Sequence, residues 1–157
     1  MHELEIYCRD EKLIAASHGP AFITTYPAGI DVETLARAEL HHDRLRVTHP
    51  RTLVVTFTGM GVAIPGGDVR AASAKLIRDN AHRLLASAIV FAGSGFWVSA
   101  ARSAMTSILL MARQAVPTRI FADGTHASHW LAQHSDDVHA DSLAAALEQY
   151  AGAAAAA

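Results

Sequence analysis

The chain has 157 residues, of which 51% are hydrophobic and 18% charged, and its formal net charge is -2 at pH 7. A chain of this length can bury one hydrophobic core without disulfides or a metal, and its apolar content excludes a disordered protein. The near-neutral charge, without a basic stripe, argues against a nucleic-acid-binding protein, which needs clustered Lys and Arg to contact phosphates. We therefore predict one globular domain.

Cysteine content and apolar run length bear on the compartment. Cys8 is the only cysteine, so this chain alone can form neither an internal disulfide nor a thiolate metal site. The first residues lack the basic and apolar regions of a signal peptide, and the apolar runs are too short to span a bilayer. These features predict a cytoplasmic protein that is not inserted into a membrane.

The N-terminal residues predict an antiparallel meander. Apolar and polar residues alternate over 4–8, and a polar turn follows at 9–12. Two further extended runs cover 13–17 and 21–26, and Gly and Pro separate them. Three short strands are expected here.

Helices and strands then alternate. The first helix is predicted from the N-cap residue Asp31 to residue 46, and a strand rich in β-branched residues covers 52–57. Asp68 is predicted to cap a second helix that continues through Leu85. A short buried strand is then expected at 88–91.

The third predicted helix is strongly apolar. It begins at Phe96 or Trp97 and extends to about Val116, where Pro117 ends it. Its side chains are apolar on more than one side, so we expect it to be buried on both faces or covered by another subunit.

The C-terminal part completes the pattern. A strand is predicted at 118–121, a short helix capped by Asp123 or Thr125 follows, and a last helix covers 136–150. The domain is therefore expected to span residues 1–150, and the Ala-rich residues 151–157 are expected to form a disordered tail.

This order of elements predicts one α/β domain with a mixed sheet. The N-terminal strands form an antiparallel edge. Strands separated by helices pair in parallel through right-handed crossovers, and the helices cover the sheet.

Three segments resemble the SpoIIAA-like branch of the STAS domains (sulphate transporter and anti-sigma-factor antagonist), which are related by fold to the Sec14 group. The segments are 88–97 (AIVFAGSGFW), 119–121 (RIF) and 129–131 (HWL), and the resemblance covers most of residues 3–134. It implies a STAS-like domain that acts as a non-enzymatic regulatory or protein-interaction module.

The resemblance fails at the family's phosphorylation site. Anti-sigma antagonists carry an Asp-Ser pair at the start of the helix that follows the strand matching 52–57, and this serine is phosphorylated. The corresponding residues 64–68 read IPGGD and contain no hydroxyl group. The resemblance therefore implies a surface for partners here but no phosphorylation switch.

The candidate partner-binding residues lie where loops follow parallel strands, the edge at which open α/β folds bind ligands. Free backbone N–H groups at the starts of the helices after Gly67 and Gly95 could bind an anion. Neither loop matches a Walker or Gly-x-Gly-x-x-Gly motif, however. The glycines are therefore interpreted as permitting tight turns. The candidates are Met60, Gly61, Pro65, Gly66, Gly67, Asp68, Ser94, Gly95, Phe96 and Trp97.

Catalytic, metal and cofactor sites are not predicted. Ser94 lacks the flanks of a Gly-x-Ser-x-Gly nucleophile elbow. His126 and His129 are followed by further potential ligands at 134, 136, 137, 139 and 141, but the HExxH arrangement of a zinc site is absent, so they are interpreted as exposed histidines. We expect a non-enzymatic protein that contacts an unidentified protein partner, with a homodimer as one arrangement.

A carrier of a small apolar or lipid-like ligand is the alternative, suggested by the related Sec14 group and the apolar third helix. A carrier should contain a continuous apolar cavity, whereas an interaction module should be solidly packed.

Overall fold

The computed structural model describes residues 2–59, 62–91, 95–113 and 115–156, and these contain one six-stranded sheet with the strands in chain order. The first three strands pair antiparallel, and the third to sixth pair in parallel. The predicted α/β class with a mixed sheet is confirmed. The strands are β1 (Leu4–Arg9), β2 (Ile14–His18), β3 (Ala21–Thr25), β4 (Thr52–Thr58), β5 (Leu84–Phe91) and β6 (Thr118–Phe121).

Helices cover both faces of this sheet. Within the described residues, no helix is both long enough and apolar enough to cross a membrane. The helices are α1 (Val32–Thr48), α2 (Gly67–Asn80), α3 (Phe96–Met111), α4 (Gly124–Leu131) and α5 (Ala140–Ala155).

The alternation of side chains along each strand separates the two faces. In β3, Ile23 packs with Leu143 and Leu147 of α5, whereas Phe22 packs with Ala38 and Leu45 of α1. Helices α4 and α5 therefore cover one face, and α1, α2 and α3 cover the other.

Side-chain caps fix the starts of two helices as predicted. Asp31 accepts a hydrogen bond from the Thr34 backbone N–H (2.7 Å), and the Thr34 hydroxyl accepts one from the Asp31 N–H (3.1 Å). Asp123 similarly accepts from the His126 N–H and begins α4.

The second helix differs from its prediction at both ends. Gly66, not Asp68, is the N-cap, because the Gly66 carbonyl accepts the Arg70 N–H, and Asp68 lies inside the first turn. Leu84 and Leu85 match the helical spacing but belong to β5, where Leu84 pairs with Thr52 of β4. Strand pairing here overrides the local helical pattern.

The third helix also ends earlier than residue 116. Arg113 has a φ of 58°, in the left-handed region, and its N–H donates to the Leu110 carbonyl. A residue in the left-handed conformation commonly follows the C-terminal end of a helix, and α3 accordingly ends at Met111.

The last helix begins at Ala140 rather than 136 and continues to Ala155, past the predicted end at residue 150. Residues 151–155, expected in the disordered tail, are thus helical in this structure. Alanine has the highest helix propensity, which favours continuation of α5 through this segment.

Candidate partner-binding site

Two of the predicted segments meet at the edge where β4 and β5 end. The indole Nε1–H of Trp97 donates a hydrogen bond to the Val62 carbonyl oxygen at 2.8 Å, although the two residues are 35 positions apart. Ile64, Pro65 and Trp97 line one small cavity of about 40 Å³. The segment before α2 and the start of α3 therefore form one surface.

Phe96 and Trp97 have opposite environments. The Trp97 ring packs edge-on against Phe91, with 6.1 Å between ring centroids, and also contacts Val98 and Ala101 in a local apolar cluster. The side chain of Phe96 is 89% exposed, more than any other large hydrophobic side chain in the described residues. Trp97 thus connects the two segments of the surface, whereas the preceding residue, Phe96, projects into solvent.

The surface around Phe96 is mixed in character. Ile64 is partly exposed, and Gly66, Gly67 and Asp68 lie exposed at the start of α2. The backbone of these residues begins α2, and the Asp68 carboxylate provides a negative charge in the first turn of that helix.

Gly95 meets a backbone requirement. Its φ is 98°, a conformation that residues with L side chains rarely adopt, and it is the residue immediately before α3.

Of the ten candidate residues, the structure places Pro65, Gly66, Gly67, Asp68, Gly95, Phe96 and Trp97. The remaining candidates, Met60, Gly61 and Ser94, lie outside the described residues.

Two histidines of α4 lie near carboxylates, His126 beside the cap residue Asp123 and His129 beside Asp141 of α5. The His126 ring Nδ1 lies 2.7 Å from Asp123 Oδ2, and His129 Nε2 lies 3.9 Å from Asp141 Oδ1, all on the exposed surface. Within residues 2–59, 62–91, 95–113 and 115–156, no three His, Cys, Asp or Glu side chains are arranged to hold a metal ion.

A second feature lies between the sheet and helices α1, α2 and α3, where a cavity of about 150 Å³ separates the two layers. Side chains from β3, β4, β5 and β6 form its floor. The four hydroxylated residues of this floor are Thr24, Thr56, Ser87 and Thr118. From the sequence, the carrier alternative predicts an apolar cavity, whereas the four hydroxyl residues that line this one were not identified.

A polar network centred on the buried Arg46 lines part of that cavity. Arg46 forms ion pairs with Glu39 and, at 2.9 Å, with Asp43, and its Nη2 donates to His42 Nδ1 at 3.0 Å. Burial raises the pKa of Glu39, but its contacts with the His42 and Arg46 side chains outweigh burial and lower that pKa overall. The Nε–H of Arg46 is buried and has no hydrogen-bond partner within the described residues.

No protein-family model and no curated protein matches the chain.

Proposed function

We propose that this chain is a non-enzymatic regulatory module of the SpoIIAA-like STAS type that binds a protein partner in the cytoplasm. The observation that carries the proposal is the exposed Phe96 side chain on a surface held in place by the hydrogen bond from Trp97 to Val62. The module works without the phosphorylated serine of anti-sigma antagonists, because residues 64–68 carry no hydroxyl group.

Exposure of a whole phenyl ring is unfavourable in water, and aromatic side chains are frequent anchors of protein interfaces. Helix α3 fixes the backbone of Phe96, and the packed neighbour Trp97 fixes the start of that helix. Little backbone freedom is then lost on binding, which favours affinity. The surface suits a protein with a pocket for one aromatic ring.

The chemistry near Phe96 narrows the partner further. Ile64 is exposed and lines one cavity with Trp97, and Asp68 carries a negative charge in the first turn of α2. Residues 64–68 and 95–97 contain no lysine or arginine that could contact nucleic-acid phosphates. A second copy of this chain remains one arrangement, since α3 also exposes Leu110 and Met111.

Affinity capture from extracts of the source cells tests this proposal. The tagged chain is compared with Phe96→Ser and with Leu40→Ser, a matched control because Leu40 on α1 is 68% exposed and lies outside the surface. We expect a specific protein to be retained by wild type and Leu40→Ser. Loss of an interface anchor should weaken its binding to Phe96→Ser by about 30-fold.

Calorimetry with the purified partner quantifies the difference, and light scattering of the free chain tests self-association. Circular dichroism confirms that the variants are folded. Equal retention by Phe96→Ser and wild type would remove this surface from the proposal. Asp68→Arg provides a second substitution in the same surface, and it should also reduce retention.

A further inference from the structure

The two faces of the parallel strands differ in chemistry. Parallel strands covered on both sides usually carry aliphatic side chains on both faces. The face toward α4 and α5 follows this rule, with residues such as Ile23, Val55 and Val90. On the other face, the lining of one cavity combines apolar residues such as Val54 and Ile89 with the hydroxyl residues Thr24, Thr56, Ser87 and Thr118.

The helices opposite these hydroxyl residues supply a mainly apolar roof. The cavity has a volume of about 150 Å³, and a cavity of that size in another protein accommodates benzene. A membrane lipid is much larger than such a space, so the volume favours a compact molecule. The roof includes Leu35, Leu76, Ile77, Met105 and Ile108.

The polar groups of the cavity have unused hydrogen-bonding capacity. The hydroxyls of Thr24 and Thr56 are 3.4 Å apart, at the limit of a hydrogen bond, and each hydroxyl can donate one bond and accept two. Arg46 also lines the cavity, and its buried Nε–H has no acceptor within the described residues. One oxygen atom beside Thr24 and Thr56 could form hydrogen bonds with both hydroxyls.

The charges near the cavity favour a neutral occupant. Arg46 is already paired with Glu39 and Asp43, and Arg83 lies 3.6 Å from the same Asp43 carboxylate. These two cations and two anions balance one another. A carboxylate ligand would therefore add an unbalanced buried charge, which is costly.

We propose that the cavity between the sheet and α1, α2 and α3 binds a compact, uncharged, mainly apolar molecule with one hydrogen-bonding oxygen, of about the size of phenol. This binding site goes beyond the proposed partner surface and does not depend on it.

Titration of the methyl-labelled full chain by NMR tests the site, with phenol, toluene and benzoate as probes. Phenol should cause saturable shifts in the methyl resonances of Ile77, Met105 and Ile108. Toluene, which lacks the oxygen, should bind more weakly, and benzoate should cause no saturable shift of these methyl groups.

Two substitutions fill the cavity from its floor. Ser87→Ile and Thr56→Ile should each weaken phenol binding at least tenfold, whereas Thr106→Ile, the same kind of change on the exposed side of α3, should leave it unchanged. Two filling variants are used so that one that fails to fold does not decide the test, and circular dichroism verifies folding.

The proposal is overturned if phenol causes no saturable shift in wild type, which would indicate a cavity that holds only water. It is also overturned if the folded filling variants bind phenol as wild type does, or if benzoate or toluene binds as tightly as phenol. None of these outcomes affects the capture experiment with Phe96→Ser, so the two proposals fail separately.

Discussion

His42 is held in its neutral form by its neighbours. Arginine can only donate hydrogen bonds, so the contact from Arg46 identifies Nδ1 as an acceptor and places the ring proton on Nε2. That proton is donated to the Thr52 hydroxyl at 2.8 Å, and the ring stacks on Phe22 with 4.3 Å between centroids. Burial lowers the pKa of His42 below its ordinary value.

This arrangement predicts a chain that loses stability in mild acid. The pKa of His18 is also lowered, mainly by burial and to a smaller extent by the nearby His2. A histidine with a lowered pKa in the folded state binds more protons when unfolded. Its contribution to stability is complete above about pH 6.5, the unfolded value, and decreases as the pH falls through the lower folded value.

Urea denaturation at pH 7.5, 6.5 and 5.5 measures this effect. The free energy of unfolding of wild type should decrease over the series, and the decrease should be smaller for His42→Gln, which cannot take up the proton. An unfolding free energy that is equal at pH 7.5 and 5.5 would be incompatible with neutral buried histidines.

At the scale of elements, α5 is attached to the sheet through Tyr150. This side chain is fully buried, its hydroxyl donates to the Ile14 carbonyl oxygen at 2.8 Å, and it lies 2.9 Å from the Thr25 hydroxyl. The ring stacks on Phe57 of β4, with 5.6 Å between centroids. One residue near the C-terminus thus contacts three strands.

Tyr150→Phe should lower the free energy of unfolding by about 1–3 kcal/mol, because a buried carbonyl and a nearby hydroxyl lose their partner while the ring is retained. Urea denaturation at pH 7.5 measures the loss. Tyr7→Phe is the matched control, since the Tyr7 hydroxyl contacts Ser17 at a partly exposed site and should contribute less. Equal losses in the two variants would contradict the role given to Tyr150.

Element types could be predicted well from hydrophobic spacing, and element ends less well. Five of the six strands begin and end within one residue of their predicted limits. The failures have long-range or backbone causes. Leu84 and Leu85 fit a helix locally but pair with β4, and Arg113 takes a left-handed conformation that no sequence motif marks.

At the scale of the whole molecule, topology made the location of the candidate surface predictable. The loops that follow parallel strands all begin at the same edge of the sheet, and the segments that contain Val62 and Trp97 meet there. Which of two adjacent aromatic residues faces solvent could not be predicted, because the carbonyl that receives the Trp97 N–H lies far away in sequence. Hydrophobic spacing identified the apolar residues of each strand, but it could not show that Thr24, Thr56, Ser87 and Thr118 line one cavity.

The central claim is that a protein partner covers the surface around Phe96. Hydrogen exchange of the chain, alone and with the captured partner, tests this claim most directly. The claim predicts slower amide exchange in residues 62–68 and 95–99 of the complex and little change in β1 and α5. Protection confined to β1 or α5, with unchanged exchange in residues 62–68 and 95–99, would contradict it.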